Sequence, residues 1–344
     1  MDTQVTVSVI VCTRNRAHYL SDCLRSLAAQ KCDSPFEVVV IDNGSTDETP
    51  AVIRQWCEQD PRFRSAREDR PGLSRAKNAG VRAARGGLLV FTDDDVVIEP
   101  HWLATYCEFF ARHSAESILA GGPIIPVPDD LADWPAWFDQ PALCELGLLD
   151  YQAERPLEEG EYLWGANMAI PRTVFTAFGP WDETVGRKGD ERGTFEDVEY
   201  QERVKELGGA VWFCPAAFVR HRVDRRTITP RRVVSTAFAR GRNAFWQENL
   251  RTWGTADAVP RRSLTKCLSA LAGCLSLWGL WTIAFRLWSG RNLFERMRHA
   301  AWSYGWWLGS LDAGRRALPS YGVILRGVWL MRELVLRLAP EASR

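Results

Sequence analysis

No C-x-x-C pair occurs among the nine cysteines, which removes the usual spacing of a structural zinc site. Their scatter also argues against a disulfide scaffold, so a reducing, cytoplasmic setting is expected. A secretory leader is not expected, because the first apolar run is short and no basic segment precedes it. Internal repeats and low-complexity tracts are lacking, and no recognised nucleic-acid-binding motif accompanies the arginines, so nucleic acid is not an expected partner. Long uncharged runs are scarce: 19 residues between Lys266 and Arg286 make the one that matters.

What is present points to an α/β core. With 344 residues, 46% of them hydrophobic, the chain can bury one domain of about 220 residues and still carry an appendage. VTVSVIVC (Val5 to Cys12), EVVVI (Glu37 to Ile41) and the apolar stretch Leu88-Leu89-Val90 are near-continuous apolar runs separated by helical patterns, the mark of a parallel sheet covered on both faces. Leu20, Leu24 and Leu27 recur at helical spacing, as do Val52, Ile53 and Trp56 behind Pro50. A third helix is predicted from near Ser74 to Gly86-Gly87, with Ala76, Ala79, Gly80 and Ala83 letting it lie close on the sheet.

Each apolar run ends in polar residues: Thr13-Arg14-Asn15, Asp42-Asn43-Gly44-Ser45-Thr46-Asp47, and Thr92-Asp93-Asp94-Asp95. Ligands of open α/β sheets bind beyond the carboxyl ends of the strands, where all three clusters fall. Three adjacent carboxylates repel one another, and a divalent cation shared with a phosphate is the usual compensation. A solvated acidic turn capping a helix is the plainer alternative. If the segment is extended, alternation puts Asp93 and Asp95 on one side and Asp94 on the other.

The segments VSVIVCTRNRAHYLSDCLRSLAAQ, EVVVIDNGSTDETP and RPGLSRAKNAGVRAARGGLLVFTDDDVVIEPHWL resemble the nucleotide-sugar half of a family-2 glycosyltransferase of GT-A fold. LWGANMAIPRTVF, GPWDETVG and FEDVEYQERVKELGG resemble that family's acceptor half, so the resemblance runs from about residue 5 to 222. It implies a Rossmann-like, mainly parallel sheet with helices on both faces over residues 1–225. The nucleotide half would take about residues 1–100 and the acceptor half about 101–225, followed by a mainly helical extension over 226–344.

The resemblance assigns Thr13, Arg14 and Asp42 to nucleobase and ribose, Asp93 and Asp95 to a DxD metal-diphosphate site, and Asp94 with Lys77 to the same nucleotide side. It makes His221 a further ligand of a Mn²⁺ or Mg²⁺ ion, Asp197 the general base with Glu196 its rival, and Trp164, Gly165 and Asn167 the lining of an acceptor pocket. Plainer readings stand beside these. Asp42 opens a good turn sequence. Lys77 or Arg75 would also suit a solvated helix face. Thr194 and Asp197 have capping-box spacing ahead of a helix over 198–207, His221 would serve as a structural hydrogen bonder, and Trp164 as core. Trp134, Trp137 and Phe138 would stack on a sugar, dip into a bilayer, or pack within their loop.

Zero net charge conceals a division. Residues 1–218 hold 21 Lys and Arg against 36 Asp and Glu, a net −15, whereas residues 219–344 hold 22 against 7, a net +15. The basic part opens with Arg220, Arg222, Arg225, Arg226, Arg231 and Arg232, near the expected diphosphate, and would seek phospholipid headgroups, a lipid diphosphate acceptor, or the acidic catalytic domain itself. The uncharged run 267–285, at roughly 1.5 Å per residue, barely reaches hydrocarbon thickness. With helices expected near 292–311 and 321–338, it suits in-plane attachment to an anionic membrane, a packed helical cap, or a marginal span.

The expectation is a metal-dependent, inverting glycosyltransferase that moves a sugar from a nucleoside-diphosphate donor to a hydroxyl of a glycan or lipid-linked acceptor. Its place would be peripheral, on the inner face of the plasma membrane, in bacterial polysaccharide or glycolipid assembly. A nucleotidyltransferase shares the need for a nucleotide fold and metal-binding carboxylates, a glycosidase would leave the nucleotide half unexplained, and an inactive membrane-tethered scaffold is the non-enzyme alternative.

Overall fold

The computed structural model describes residues 5–113, 118–130, 146–185 and 196–224, with isolated positions 116, 133, 134, 138, 143, 144, 228, 229, 232 and 236. The chain divides into two compact units. Met1–Asp129 with Gly147–Val223 forms one, and Asp130–Leu146 with Asp224–Arg344 the other. Thr194, Trp137, Arg225, Arg226, Arg231 and the expected C-terminal helices lie outside the described residues. Among those described, no helix is long and apolar enough to cross a membrane.

In the first unit the elements are β1 (Val7–Thr13), α1 (Ala17–Ala28), β2 (Phe36–Asp42), α2 (Thr49–Gln59), β3 (Phe63–Arg67), α3 (Leu73–Ala83), β4 (Leu88–Asp93), β5 (Val96–Ile98), α4 (Trp102–Arg112), β6 (Ile118–Gly121), β7 (Ile124–Pro128), β8 (Arg155–Pro156), β9 (Asn167–Pro171), α5 (Arg172–Phe178), α6 (Glu196–Glu206), β10 (Ala210–Phe213) and β11 (Val219–Val223). An eight-stranded sheet has the order β3-β2-β1-β4-β9-β6-β10-β8, and a three-stranded sheet the order β5-β11-β7. β1 to β4 pair in parallel. β9 runs antiparallel between β4 and β6, joining β1–β4 to the later strands.

The apolar runs become strands because burial on both faces is what continuous Val, Ile and Leu allow. Every residue of β2, including Glu37, is buried. Tyr19, Leu20, Cys23, Leu24 and Leu27 form the sheet-facing stripe of α1. Two details differ from the sequence reading. β3, with half-buried Arg64 and exposed Ser65 and Arg67, has too little apolar pattern to be read as a strand. α3 stops at Ala83 rather than at the glycine pair, where the chain turns extended at Ala84. Gly86 answers a different need, since a Cβ there would sit 2.6 Å from the Ser8 nitrogen.

Candidate active site

The register of the parallel strands brings the polar clusters together. Thr13 lies opposite Asp42 in the β1–β2 pair, and Cys12 opposite Asp93 in the β1–β4 pair, so three strand ends stand abreast. Hydrogen bonds between the loops beyond these ends hold them in place. Asn15, at φ 54°, receives the Thr46 N–H on its side-chain oxygen (2.8 Å), while its own N–H donates to Ser45 Oγ (3.0 Å). Asn43 Nδ2 donates to the carbonyls of Glu68 and Arg70 (2.8 and 2.9 Å), and its Oδ1 accepts from Gly72 N–H (3.0 Å), which sets the entry to α3.

β4 ends at Asp93, and Asp94 and Asp95 form a turn into β5. The extended alternation expected for the acidic triplet therefore does not apply, because the chain bends after its first member. Asp94 accepts from Thr13 Oγ1 at 2.6 Å and is buried, which ties the triplet to β1. Burial, with repulsion from Asp95, pushes Asp94 up to about 8 and Asp93 up to about 6. Burial acts on Asp95 too, but His221 and Arg16 outweigh it and hold this carboxyl below the ordinary value. Asp95 Oδ1 lies 3.5 Å from His221 Nε2 and Oδ2 lies 3.6 Å from Arg16 Nη2. Oδ1 is also a buried oxygen without a hydrogen bond. His221 sits within β11 rather than after the last strand, aligned with Val96 of β5.

The donor set suits a hard divalent cation. Mg²⁺-like ions take one or two carboxylates and complete their shell with water and phosphate oxygens. Asp95 offers a buried oxygen that faces His221, and Asp93 a carboxyl whose ionisation burial and Asp95 oppose. No cluster of three or more His, Cys, Asp or Glu side chains poised to hold a metal occurs among the described residues, so Asp93, Asp95 and His221 do not form a ready-made three-ligand site.

A second acidic pair lies at the start of α6. Asp197 Oδ1 takes a charged hydrogen bond from Lys77 Nζ, and its Oδ2 accepts Gly165 N–H at 2.8 Å. Lys77 is 2% exposed and sits 3.8 Å from Glu196 Oε1, so it is not on a solvated helix face. Neither Glu196 oxygen has a hydrogen bond. Burial, then repulsion from Asp197, pushes Glu196 up to about 7. Gly165 leaves room for this pair, since a Cβ would lie 2.5 Å from Lys77 Nζ and 2.6 Å from Asp197 Oδ2 and displace their ends.

Asp42 forms the turn, its Oδ1 accepting Ser45 N–H (2.8 Å) and its Oδ2 pairing with Arg67 Nη1 (2.9 Å). Arg14 is exposed. Trp164 is partly buried against the core. Asn167 cannot line an acceptor pocket: it is fully buried, donates to the carbonyls of Pro123 and Ala217 (3.0 and 2.6 Å), and accepts from Trp102 Nε1 and Tyr106 OH (2.9 and 2.7 Å). All its hydrogen-bonding capacity goes to the core. Arg220 and Arg222 pair with Glu99 and Asp22, so these two guanidiniums are neutralised by the acidic unit itself.

Sequence reasoning missed Gln201 and Trp181. Gln201 accepts Leu163 N–H (2.7 Å) and donates to Leu163 O (3.0 Å) and Asp197 O (2.7 Å), holding the segment before Gly165 against α6. Its place four residues after Asp197, on the same helix face, was the available signal. Trp181, 1% exposed, stacks on Tyr200 at 4.4 Å and meets Phe91 edge-on at 4.7 Å.

The sequence model described as "Glycosyl transferase family 2" matches residues 8–173. Among curated relatives, a glucosyl-dolichyl phosphate glucuronosyltransferase of Haloferax volcanii is 27% identical over 220 residues, 63% of this chain and 69% of that protein. A validoxylamine A glucosyltransferase of Streptomyces hygroscopicus subsp. jinggangensis is 29% identical over 225 residues, 59% of this chain and 52% of that protein. Two solved structures share the fold. A mannosyltransferase from Pyrobaculum calidifontis, in complex with GDP-Man and Mn²⁺, has a TM-score of 0.50 at 19% identity, covering 96% of this chain and 81% of that one. GalNAc-T7 with UDP, GalNAc and Mn²⁺ has a TM-score of 0.51 at 17% identity, covering 72% and 52%.

Residues 8–173 form a glycosyl transferase family 2 domain, and the chain has the GT-A fold. The matched span ends before α6, so the Asp197 segment lies beyond it.

Proposed function

We propose that this protein is a metal-dependent, inverting glycosyltransferase that moves a sugar from a nucleoside-diphosphate donor to an acceptor hydroxyl. The carrying observation is the alignment of Thr13, Asp42 and Asp93 at adjacent strand ends, with Asp197 held separately by Lys77 and Gly165. Thr13, Arg14 and Asp42 serve nucleobase and ribose, and Asp94, through Thr13, braces that side. Asp95 and Asp93, with His221, would hold a Mn²⁺ or Mg²⁺ ion, which supplies positive charge to the departing diphosphate.

Asp197 takes the acceptor hydroxyl proton as the acceptor oxygen bonds to the anomeric carbon. The bond from that carbon to the diphosphate oxygen breaks, and the nucleoside diphosphate leaves with the electron pair. A single displacement inverts the anomeric centre and needs no covalent enzyme intermediate. Gly165 and Trp164 border the acceptor side; Asn167 keeps its structural place.

The setting we infer is the cytoplasmic face of a membrane, in bacterial polysaccharide or glycolipid assembly. The +15 charge of residues 219–344 supports this, as does similarity to a relative named for a dolichyl phosphate-linked sugar. Screening nucleotide sugars for Mn²⁺-dependent nucleoside diphosphate release tests the reading. Release of pyrophosphate from a nucleoside triphosphate and a sugar phosphate would replace it with nucleotidyl transfer.

A further inference from the structure

α3 has two working faces. On the sheet side Ala76, Ala79 and Gly80 press close, and a Cβ at Gly80 would sit 2.3 Å from Ile10 Cγ2. The other side holds the segment leading toward α6. Ser74 Oγ donates to Val185 O (3.0 Å), and Asn78 exchanges two hydrogen bonds with the Trp181 backbone (2.9 and 3.0 Å). Between these anchors Lys77 reaches inward, its ammonium 5.5 Å from the centre of the Trp181 ring and in contact with Asp197.

We propose that Lys77 is a positioning residue for the general base, holding the Asp197 carboxylate in place from α3 instead of contacting the donor diphosphate. The inference rests on Asp197 being the base. Three observations carry it. Lys77 is almost completely buried, its ammonium touches Asp197 and lies 3.8 Å from Glu196, and Asp93 feels it only at longer range. Asp197 is gripped from two directions, by the ammonium on one oxygen and Gly165 N–H on the other. A side chain at position 165 would collide with both partners. A carboxylate so held keeps one orientation, which a proton acceptor in an ordered displacement requires. Trp181, stacked on Tyr200 of α6, carries the same alignment from α3 to the helix bearing the base.

The test separates the two destinations of the lysine charge. In the full chain, Lys77→Met keeps most of the side-chain length and can still pack on Trp181. Calorimetry with UDP and with GDP in Mn²⁺ should give affinities within about threefold of wild type, while transfer from the donor found by screening falls by ~10²-fold. Methylammonium should restore part of the transfer in Lys77→Ala. If nucleoside diphosphate affinity and transfer fall together by ~10-fold or more, Lys77 serves the diphosphate and the proposal fails. Unchanged transfer also refutes it. Should Lys77→Met not fold, as judged by circular dichroism, Gly165→Ala supplies the second variant: it leaves the lysine charge but displaces the pair. Transfer should drop with nucleotide affinity kept, and unaltered transfer would overturn the proposal. Asp197→Asn is the control. Near wild-type transfer there removes the general-base reading itself, whereas an inactive Asp197→Asn beside an active Lys77→Met removes only the role of Lys77.

Discussion

Two acidic groups in one unit are balanced in opposite ways. Asp197 and Glu196 have a buried counter-ion supplied by the fold, because Lys77 reaches both. Asp93, Asp94 and Asp95 have no such built-in pair among the described residues: Arg16, about one-third exposed, and His221 lie against Asp95, while Lys77 and His221 favour the Asp93 carboxylate only at longer range. Burying charge without a partner is costly, so a fold that builds a lysine into one acidic pair and leaves three carboxylates short of positive charge has different uses for them. In the proposed function, the first pair would serve proton transfer and the second group would receive a cation and the phosphates that travel with it.

The largest effect should come from the triplet. Asp95→Ala removes the one carboxylate held ionised by His221 and Arg16. Mn²⁺-dependent binding of UDP or GDP should fall by ~10²-fold or more, while the far-ultraviolet spectrum stays native. Equal affinity for variant and wild type, with and without Mn²⁺, would break the contrast between the groups.

Next comes Asp197→Asn. The amide still offers an oxygen to Gly165 N–H but cannot accept the acceptor proton, so transfer should fall by ~10²-fold at unchanged nucleotide affinity. A mere helix cap would lose only a fraction of ~1 kcal/mol on this change. The loss of stability should exceed that, because Lys77 keeps only Glu196 at 3.8 Å once the charge on 197 is gone. Thermal melting and transfer rates on one preparation read both effects.

The alignment of the strand ends was legible in sequence and the surroundings of Asp197 only in part. Continuous β-branched runs ending in polar residues announce parallel strands whose ends share a site, and Thr13, Asp42 and Asp93 stand there together. Local pattern could place the triplet but not its bend, since nothing in Thr-Asp-Asp-Asp says that the strand stops at Asp93. Long-range pairings were invisible for a different reason. Lys77 and Asp197 are 120 residues apart, and a lysine among small residues on an amphipathic helix reads as solvated until the second half of the fold covers it. Asn167 shows the converse error. A polar residue beside Trp164-Gly165 reads as a ligand contact, whereas its amide joins two backbone carbonyls, an indole and a phenol in the core.

A smaller effect sharpens the charge contrast through pH. Asp94 is raised to about 8 in the folded chain from an ordinary carboxyl value of 3.8. The folded state therefore binds more protons than the unfolded one between those values, and stability must fall as pH rises through that window. Asp94→Asn keeps an oxygen for Thr13 Oγ1 and removes the titration. In chelator, the variant should melt a few degrees above wild type at pH 8, roughly 1 kcal/mol or more, and the gap should close by about pH 4. A gap that widens toward low pH would mean that the carboxylate stabilises the fold, contrary to its burial among like charges.

The smallest effect is expected at Glu196, where the two acidic members of α6 part company. Its folded value near 7, against 4.5 ordinarily, comes chiefly from burial and then from Asp197, with Lys77 as partial relief. Raised in the folded state, this carboxyl too costs stability as pH climbs from about 4.5 to 7, the cost levelling off above that range. Glu196→Gln replaces it by a neutral group of the same shape, so the variant should match wild type near pH 4 and exceed it modestly at pH 8. Transfer should change by less than about tenfold if Asp197 is the base, since Gln leaves Lys77 wholly to Asp197. A collapse of transfer in Glu196→Gln beside an active Asp197→Asn would reverse the assignment and make the carboxylate without a hydrogen bond the proton acceptor. Lys77 and Gly165 would then immobilise an aspartate that only shapes the field around its neighbour.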